Sequence, residues 1–348
     1  MKILDRPIGP GHRPYLIAEM SGNHNQSLER ALEIVDAAAA YGADAIKLQT
    51  YTADTMTLNL RMPGFVIDDP KSLWAGRQLH ELYQEAHTPW EWHVPILERA
   101  AKLGVHCFST PFDFSSVDFL ESLNVPAYKI ASFENTDLPL IRRVAATGKP
   151  IIMSTGMATA GEIDEAVRAA REAGCRDLVL LKCTSTYPAT AENTNISTIP
   201  HMRALFGCEV GLSDHTMGCG VSVAATAVGA TVIEKHFTLD KDMEGWDHAI
   251  SADAAELRHI VTEGRNVVTA LGSSRRIVSE AEIEKRKKFR RSLVLARALP
   301  AGHALAESDL VAKRPGTGVA PDEIGYVIGR RLHASMPADS VLRWKDLV

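Results

Sequence analysis

The sequence predicts an α/β protein that folds as a (β/α)8 TIM barrel, followed by a small C-terminal domain. Three observations predict this fold. Short apolar segments ending in polar residues recur eight times in the first 240 residues, helix-like segments separate them, and the pattern changes near residue 284. Eight strand-then-helix units in series favour a closed barrel over the alternative, a doubly wound open sheet.

The eight predicted strands are short and rich in β-branched and other apolar residues. We place them at residues 15–20, 45–51, 106–111, 127–132, 150–155, 177–185, 209–214 and 231–239. Ala-rich segments with helical spacing separate the strands. In one of them, Thr159 is a predicted N-cap, Glu162 follows three residues later, and Gly174 marks the end, as is typical of helices.

One connection is about twice as long as the others. It covers residues 52–105 and contains Trp74, Trp90 and Trp92. An insertion on the catalytic side of a barrel is usually a lid or an oligomer contact, so we expect the tryptophans to pack there rather than form a sugar platform.

From Glu280, a charged segment leads into short strands with Gly and Pro turns. We therefore predict domains at 1–284 and 285–348.

Composition and charge argue against several classes of protein. The 348 residues carry a formal charge of −5, so no overall positive field draws nucleic acid or an anionic membrane. The five cysteines form no CxxC pair and are odd in number, which suits reduced thiols. No segment approaches the ~18 consecutive apolar residues of a membrane helix. The sequence predicts a cytoplasmic protein without a nucleic-acid or membrane partner.

Polar residues end every predicted strand, which is where barrel enzymes have their active sites. His215 and His236 end adjacent strands, and these lie ~4.8 Å apart, so both imidazoles can reach one divalent ion. One such histidine alone is more often only hydrogen-bonded, but two on adjacent strands favour a metal site. Water and sugar oxygens would complete the coordination of Mn²⁺ or a similar Lewis acid.

Two lysines share the same end of the barrel with a ring of small hydroxyls. Lys47 and Lys129 supply point charges, and short donors come from Ser132, Ser154, Thr184 and Ser213. This combination suits a phosphate and a carboxylate, although Ser and Thr at strand ends equally often cap the next helix. Glu19 and Glu134 are candidate partners for the lysines, because an inward lysine needs a counter-charge or a ligand.

At these residues the chain resembles the sialic acid (nonulosonic acid) synthase family over nearly its whole length. The motifs that carry the resemblance are AEMSGNHNQS, GADAIKLQTY, STPFD, YKIASFENTDLPLI, MSTGMA, KCTSTYPA, GLSDHTMG and VIEKHFTLD. The C-terminal segment resembles the antifreeze-like (SAF) domain of these enzymes. The resemblance implies a TIM barrel that condenses phosphoenolpyruvate with an N-acetylated amino hexose and releases phosphate.

The resemblance also implies residue roles. It makes His215 and His236 the ligands of a divalent metal, with Mn²⁺ favoured over Mg²⁺ or Co²⁺. The residues it places around phosphoenolpyruvate are Lys47, Thr110, Lys129, Ser132, Ser154, Thr184 and Ser213. Those it assigns to the sugar and the proton transfers are Glu19, Gln49, Glu134, Tyr187 and Asp247, of which Glu19, Glu134 and Asp247 are the expected catalytic residues. It further implies a domain-swapped homodimer in which Arg314 contacts the sugar bound by the other subunit.

The motifs divide between branches of the family. AEMSGNHNQS, TYTADTMTL and ASFENTDLPLI resemble the branch that makes pseudaminic acid from 2,4-diacetamido-2,4,6-trideoxy-L-altrose, whereas EGWDHAIS resembles the sialate and legionaminate branches. We expect the altrose substrate, with N-acetylneuraminate or legionaminate synthesis as alternatives. Two further hypotheses are a Schiff-base aldolase using Lys129 or Lys182 and a non-catalytic sugar-binding or assembly protein.

Overall fold

The structure is a computed structural model that describes residues 1–68 and 74–348. It divides into two compact units, Met1–Gly272 and Ser273–Val348. The predicted domain boundary at residue 284 falls inside the second unit and stays a prediction. Residues 69–73 of the predicted long insertion lie outside the described residues.

The first unit is a closed barrel of eight parallel strands preceded by a small hairpin. The hairpin strands are β1 (Lys2–Ile3) and β2 (Arg6–Pro7), and the barrel strands are β3 (Tyr15–Glu19), β4 (Ala45–Thr50), β5 (His106–Pro111), β6 (Tyr128–Ile130), β7 (Ile151–Ser154), β8 (Leu178–Cys183), β9 (Glu209–Asp214) and β10 (Val232–His236). Each strand pairs with the next in sequence, and β10 closes on β3. The predicted barrel is confirmed, and the open-sheet alternative is wrong.

Six of the eight barrel strands end one to three residues earlier than predicted, and the fourth and eighth are two of them. The fourth stops at Ile130, and Ser132–Glu134 form a 3₁₀ turn instead of extending it. The eighth stops at His236 rather than at residue 239. In the fourth strand, the polar residues Ser132 and Glu134 thereby leave the hydrogen-bonded ladder, which frees them for other contacts.

Helices surround the barrel and bury their apolar faces against it. In chain order the helices of this unit are α1 (Leu28–Ala40), α2 (Ala53–Met56), α3 (Leu79–Ala86), α4 (His93–Leu103), α5 (Phe114–Ser122), α6 (Leu138–Ala145), α7 (Ala160–Glu172), α8 (Ala191–Thr194), α9 (Thr198–Phe206), α10 (Gly220–Ala227) and α11 (Ala254–Leu271). Helix α7 begins as predicted, because Thr159 and Glu162 form a reciprocal capping box. On α1, the buried residues Ala31, Ile34, Val35 and Ala38 follow helical spacing.

The long insertion lies between β4 and β5 and contains α2 and α3. Trp90 stacks on Phe119, with ring centroids 4.5 Å apart, and its indole donates to the Tyr51 carbonyl at 3.2 Å. Trp92 meets the His24 ring edge-on at 5.4 Å. These two rings therefore anchor the insertion to the barrel by packing.

The second unit has its own small core. It contains α12 (Glu280–Phe289), the antiparallel pair β11 (Ser292–Leu295) and β12 (Leu310–Lys313), and α13 (Ile324–Val327). Its buried Asp309 accepts hydrogen bonds from Arg297 at 2.7 Å and from the Ala306 amide at 3.0 Å.

Throughout the two described stretches, no helix is both long and apolar enough to cross a bilayer. All five cysteines are free thiols.

Candidate active site

The carboxyl ends of the barrel strands bring polar residues from the whole sequence to one place, called here the barrel mouth. Register fixes the neighbours: Glu19 pairs with Lys47 on one side and with His236 on the other, and Ser213 pairs with Glu234. Because parallel strands share one direction, all these residues lie at the same end of the barrel.

A buried ion network fills the mouth. Lys47 Nζ lies 2.9 Å from Glu19 Oε2 and 3.4 Å from Glu234 Oε2. Lys129 Nζ lies 3.2 Å from Glu234 Oε1, which also accepts a hydrogen bond from Ser213 Oγ at 3.0 Å. Two cations and two anions thus compensate one another out of contact with bulk water, which buried charges require.

The two lysines differ in how the network affects them. Burial lowers the pKa of Lys47, but the Glu19 and Glu234 carboxylates outweigh it, so the pKa is raised overall. For Lys129, burial is the largest effect and the Lys47 charge adds to it, so its pKa is lowered even though Glu234 opposes this. Lys47 is therefore the more firmly protonated of the two cations.

His215 and His236 form a pair beside this network. Their ring centroids are 5.4 Å apart, and the Tyr187 ring lies 4.3 Å from that of His215. His215 Nδ1 is 2.9 Å from the Thr184 carbonyl, which fixes the tautomer with the proton on Nδ1 and leaves Nε2 with a free lone pair. A carbonyl-anchored imidazole of this kind is the usual form of a metal-ligating histidine.

The outer side of the same two strands holds the histidines in place. Lys235 Nζ lies 3.0 Å from Asp214 Oδ2 and donates to the Thr216 carbonyl at 2.6 Å. Asp214 Oδ1 also accepts from the Thr216 amide at 2.9 Å. This buried ion pair joins the residues next to His215 and His236 and so ties the two strand ends together.

Asp247 links the histidines to the acidic side of the mouth. Its Oδ2 atom lies 3.4 Å from His236 Nδ1 and accepts from Ser21 Oγ at 2.5 Å. Burial alone raises the pKa of Asp247, but the contacts with His236 and Ser21 lower it by more than burial raises it. The pKa is therefore lowered overall, and the carboxylate form is favoured. Glu19 Oε1 in turn accepts from Gln49 at 3.0 Å and from the Ser21 amide at 3.2 Å.

Buried polar atoms without hydrogen-bond partners concentrate at this end of the barrel. Across the two described stretches, eight such side-chain atoms occur, and all but Arg203 Nε belong to residues that end or follow barrel strands at the mouth: Glu19, Asn23, Glu134, Asn135, Ser154, Glu234 and His236. Lys47 still lies within ion-pair distance of the Glu19 and Glu234 atoms. Native proteins rarely leave such atoms unpaired, so the concentration indicates a polar ligand site.

The other predicted residues fall into three groups. Thr110 Oγ1 accepts from Lys47 at 3.3 Å, and Ser132 Oγ accepts from the Gly156 amide at 3.1 Å, so both lie at the mouth. The Thr184 hydroxyl donates to the Asn193 carbonyl at 3.2 Å, so only its carbonyl faces His215. Arg314 lies in the second unit, where its guanidinium donates to the Phe289 carbonyl at 2.9 Å.

A cavity of about 330 Å³ opens beside the histidines and is continuous with the mouth. Its polar wall contains Ser21, Gln49, Tyr187, His236 and Asp247. The opposite wall comes largely from the long insertion. A volume of this size suits a small organic substrate.

Sequence reasoning left some residues of the mouth without a role. Glu234, the carboxylate shared by both lysines, is not among the site residues predicted from the sequence. The alternation in VIEKH was the available signal, because it puts Glu234 and His236 on one face and Lys235 on the other. Ser21 carried no comparable signal, since its contact with Asp247 spans 226 residues.

Comparisons with known proteins agree with the fold. Residues 34–276 match the NeuB family, and residues 290–348 match the SAF domain. The chain belongs to the NeuB family. The NeuB match includes seven of the eight barrel strands, and the SAF match lies entirely within the second unit.

NeuB relatives with curated names cover almost the whole chain. The pseudaminic acid synthase of Helicobacter pylori is 41% identical over 96% of this chain and 98% of its own length. The N,N'-diacetyllegionaminic acid synthase of Legionella pneumophila is 38% identical, covering 98% of this chain and 97% of that protein. Among solved structures, the N-acetylneuraminic acid synthetase of Leptospira borgpetersenii superposes with a TM-score of 0.73 at 30% identity, covering 82% of this chain and 94% of that one.

Glu134 is predicted to make stability depend on pH. Burial raises its pKa from 4.5 to about 7. Its contribution to stability is therefore fully present below about pH 4.5 and is lost as the pH rises through about 7. The unfolding free energy of wild type should therefore fall, relative to that of E134Q, by on the order of 2 kcal/mol between about pH 5 and pH 8. Urea denaturation of both proteins at each pH measures this difference.

The matched control for this measurement is E165Q, at an exposed glutamate of α7. It should follow the wild-type pH profile. Parallel profiles for wild type and E134Q would show that Glu134 is not held in an environment that favours its protonated form.

Proposed function

We propose that this protein is a pseudaminic acid synthase. It condenses phosphoenolpyruvate with 2,4-diacetamido-2,4,6-trideoxy-L-altrose and water, and it releases pseudaminic acid and phosphate. The observation that supports this proposal is the concentration of unpaired buried polar atoms around two lysines and two histidines at the barrel mouth. The curated relatives named pseudaminic acid synthase support the choice of product.

The anionic substrate would bind over Lys47 and Lys129. Their charges are already balanced by Glu19 and Glu234, so hydroxyl and amide donors must contribute to binding a phosphate and a carboxylate. Ser154 Oγ is buried and unpaired, which makes it a ready donor. We also assign Thr110, Ser132, Ser213 and Thr184 to this half of the site.

The residues at the mouth fit a divalent metal. Among the described residues, no group of three or more His, Cys, Asp or Glu side chains has a metal-binding arrangement, so His215 and His236 would hold the ion as a pair. His236 Nδ1 is buried and has only the Asp247 carboxylate nearby, at 3.4 Å, and the lone pair on His215 Nε2 is the one opposite the Thr184 carbonyl; both agree with ligation. When bound, Mn²⁺ or a similar ion supplies Lewis acidity for a sugar aldehyde, with water and sugar oxygens as its other ligands.

The remaining side chains position the sugar and move protons. Asp247, Gln49 and Tyr187 orient the open-chain aldehyde so that C3 of phosphoenolpyruvate attacks C1, forming the carbon–carbon bond. The aldehyde oxygen takes up a proton, and a water adds to the cationic C2 and loses one. The bond between C2 and the phosphate oxygen then breaks, and the C2 hydroxyl gives its proton to the departing phosphate, which leaves the 2-keto acid.

The two catalytic glutamates suit different halves of this proton exchange. Burial keeps Glu134 protonated up to a pKa of about 7, which suits donation to the aldehyde oxygen. Glu19 contacts Lys47, Gln49 and the Ser21 amide on the other side of the mouth, and we give it the other half, taking up the proton that the water loses. We assign these roles to the two residues.

Several earlier expectations stay part of the proposal. We propose a cytoplasmic, domain-swapped homodimer in which Arg314 contacts the sugar of the other subunit, with the SAF domain starting near residue 285. The free cysteines agree with a reducing compartment. Oligomer mass before and after truncation at residue 284 tests the dimer.

One observation favours a second candidate, a Schiff-base aldolase. The lowered pKa of Lys129 is typical of amine nucleophiles. Lys182 is a weaker candidate, because its amine donates to Thr184 at 2.9 Å and to the Cys183 carbonyl at 3.0 Å. Borohydride trapping with pyruvate, and turnover that survives EDTA, would favour this candidate.

The experiment that tests the proposed function is phosphate release from phosphoenolpyruvate with Mn²⁺. The sugars to compare are the trideoxy-L-altrose derivative, the corresponding legionaminate precursor and N-acetylmannosamine, with mass spectrometry of each product. We expect turnover with the altrose derivative. Turnover only with either of the other sugars would overturn the assignment to pseudaminic acid and make the EGWDHAIS segment the better guide to the substrate.

The metal assignment predicts the effect of H215A. Losing one of two imidazole ligands should weaken Mn²⁺ binding by more than about 100-fold in calorimetric titration, since even second-shell changes cost 10- to 100-fold. The far-ultraviolet circular dichroism should be unchanged. H201A, at an exposed histidine of α9, serves as the control. Wild-type Mn²⁺ affinity in H215A would rule out His215 as a ligand.

A further inference from the structure

The side of the cavity opposite the histidines is apolar and comes mainly from one helix. On α3, Leu79, Leu82, Tyr83 and Ala86 line the cavity, and their spacing places them on a single helix face. None of the four belongs to the barrel's hydrophobic core. The apolar face of α3 therefore covers the cavity instead of packing into the barrel.

Two of the other aromatic residues that line the cavity, Tyr51 and Trp246, extend this surface, which we call the α3 wall. Tyr51 follows β4, and its ring meets Tyr83 edge-on at 5.7 Å. Trp246 is held from two sides: a Cβ at Gly22 would lie 2.8 Å from its Cδ1 atom, and the Arg77 guanidinium lies 5.2 Å from its ring centroid. These contacts make the wall a preformed surface.

The wall has only a few polar groups. Burial raises the pKa values of Tyr51 and Tyr83, so both phenols are protonated at neutral pH and can donate hydrogen bonds. The Leu79, Leu82 and Ala86 side chains offer neither donors nor acceptors. The wall therefore suits a ligand that combines methyl groups with an amide carbonyl.

From this geometry we infer that the α3 wall binds the end of the sugar remote from the aldehyde and selects a 6-deoxy, N-acylated amino sugar. The inference rests on the proposed function, which places the aldehyde next to His215 and His236 at the polar end of the same cavity. The far end of an open six-carbon chain then reaches α3. A methyl group there gains apolar burial, whereas a hydroxymethyl group loses water without gaining a partner among Leu79, Leu82 and Ala86.

The test compares two ligands that differ in one hydroxyl. They are the reduced, alditol forms of 2,4-diacetamido-2,4,6-trideoxy-L-altrose and of its 6-hydroxy counterpart, titrated calorimetrically into the full-length protein with Mn²⁺. Because alditols lack the aldehyde, binding reports on the wall whether or not turnover occurs. We expect the wild type to bind the 6-deoxy alditol about 10- to 100-fold more tightly.

Variants localise this preference to the wall. L82N adds a polar partner at a buried position and should reduce the ratio of the two dissociation constants by about tenfold or more. L79N, at a half-buried position of the same face, should act in the same direction if L82N does not fold. Q84A, on the exposed face of α3, should keep the wild-type ratio.

Two results would overturn the inference. One is equal binding of the two alditols by the wild type, and the other is an unchanged ratio in whichever of L82N and L79N folds. Failure of the proposed function is distinguishable, because it would appear as no phosphate release with any N-acetylated amino sugar even where the alditols bind with the expected preference.

Discussion

The buried ion network of Lys47, Lys129, Glu19 and Glu234 is the interaction on which the rest of the mouth depends. Its members come from β3, β4, β6 and β10, and each is almost completely shielded from solvent. A charge in such a place is tolerated only when it is paired, so the four residues constrain one another's positions. Closing β10 on β3 completes the pairing, because Glu19 then lies between Lys47 and His236 in register.

The two-residue period of the strands lets one sequence segment serve two surfaces. On β10, Glu234 and His236 face the mouth while Lys235 points outward to Asp214. On β9, Ser213 faces inward, and Asp214 accepts from Ser222 of α10 at 2.5 Å. The inner residues line the mouth and the outer ones hold the strand ends, so a one-residue slip would exchange the two roles.

Much of this arrangement could be predicted from the sequence. The eight strands and the meeting of His215 with His236 follow from strand count and from the end at which parallel strands terminate. The sharing of Glu234 could not be predicted, because it depends on side chains from three strands meeting inside a closed barrel. The orientation of the Thr184 hydroxyl could not be predicted either, because a local turn directs it to the Asn193 carbonyl.

The insertion shows a different limit of sequence reasoning. Its tryptophans are the residues that the sequence predicts to pack, and Trp90 and Trp92 do pack against the barrel. The third, Trp74, lines the cavity together with the apolar stripe on α3 that we propose binds the sugar. Helical spacing identifies a buried face but not what covers it, and here a cavity takes the place of the core.

The most direct test of this account replaces Glu234 by glutamine and compares it with E209Q. Glu209 also lies on a barrel strand, but its pair with Arg203, at 3.3 Å, is partly exposed. E234Q leaves Lys129 without its carboxylate and should lower the unfolding free energy of the barrel by about 3 kcal/mol, while E209Q should cost less than about 1 kcal/mol. Inorganic phosphate should then stabilise E234Q more than wild type, because an anion can replace the missing charge. Equal, small losses in both variants and no differential effect of phosphate would contradict the claim that the network organises the mouth.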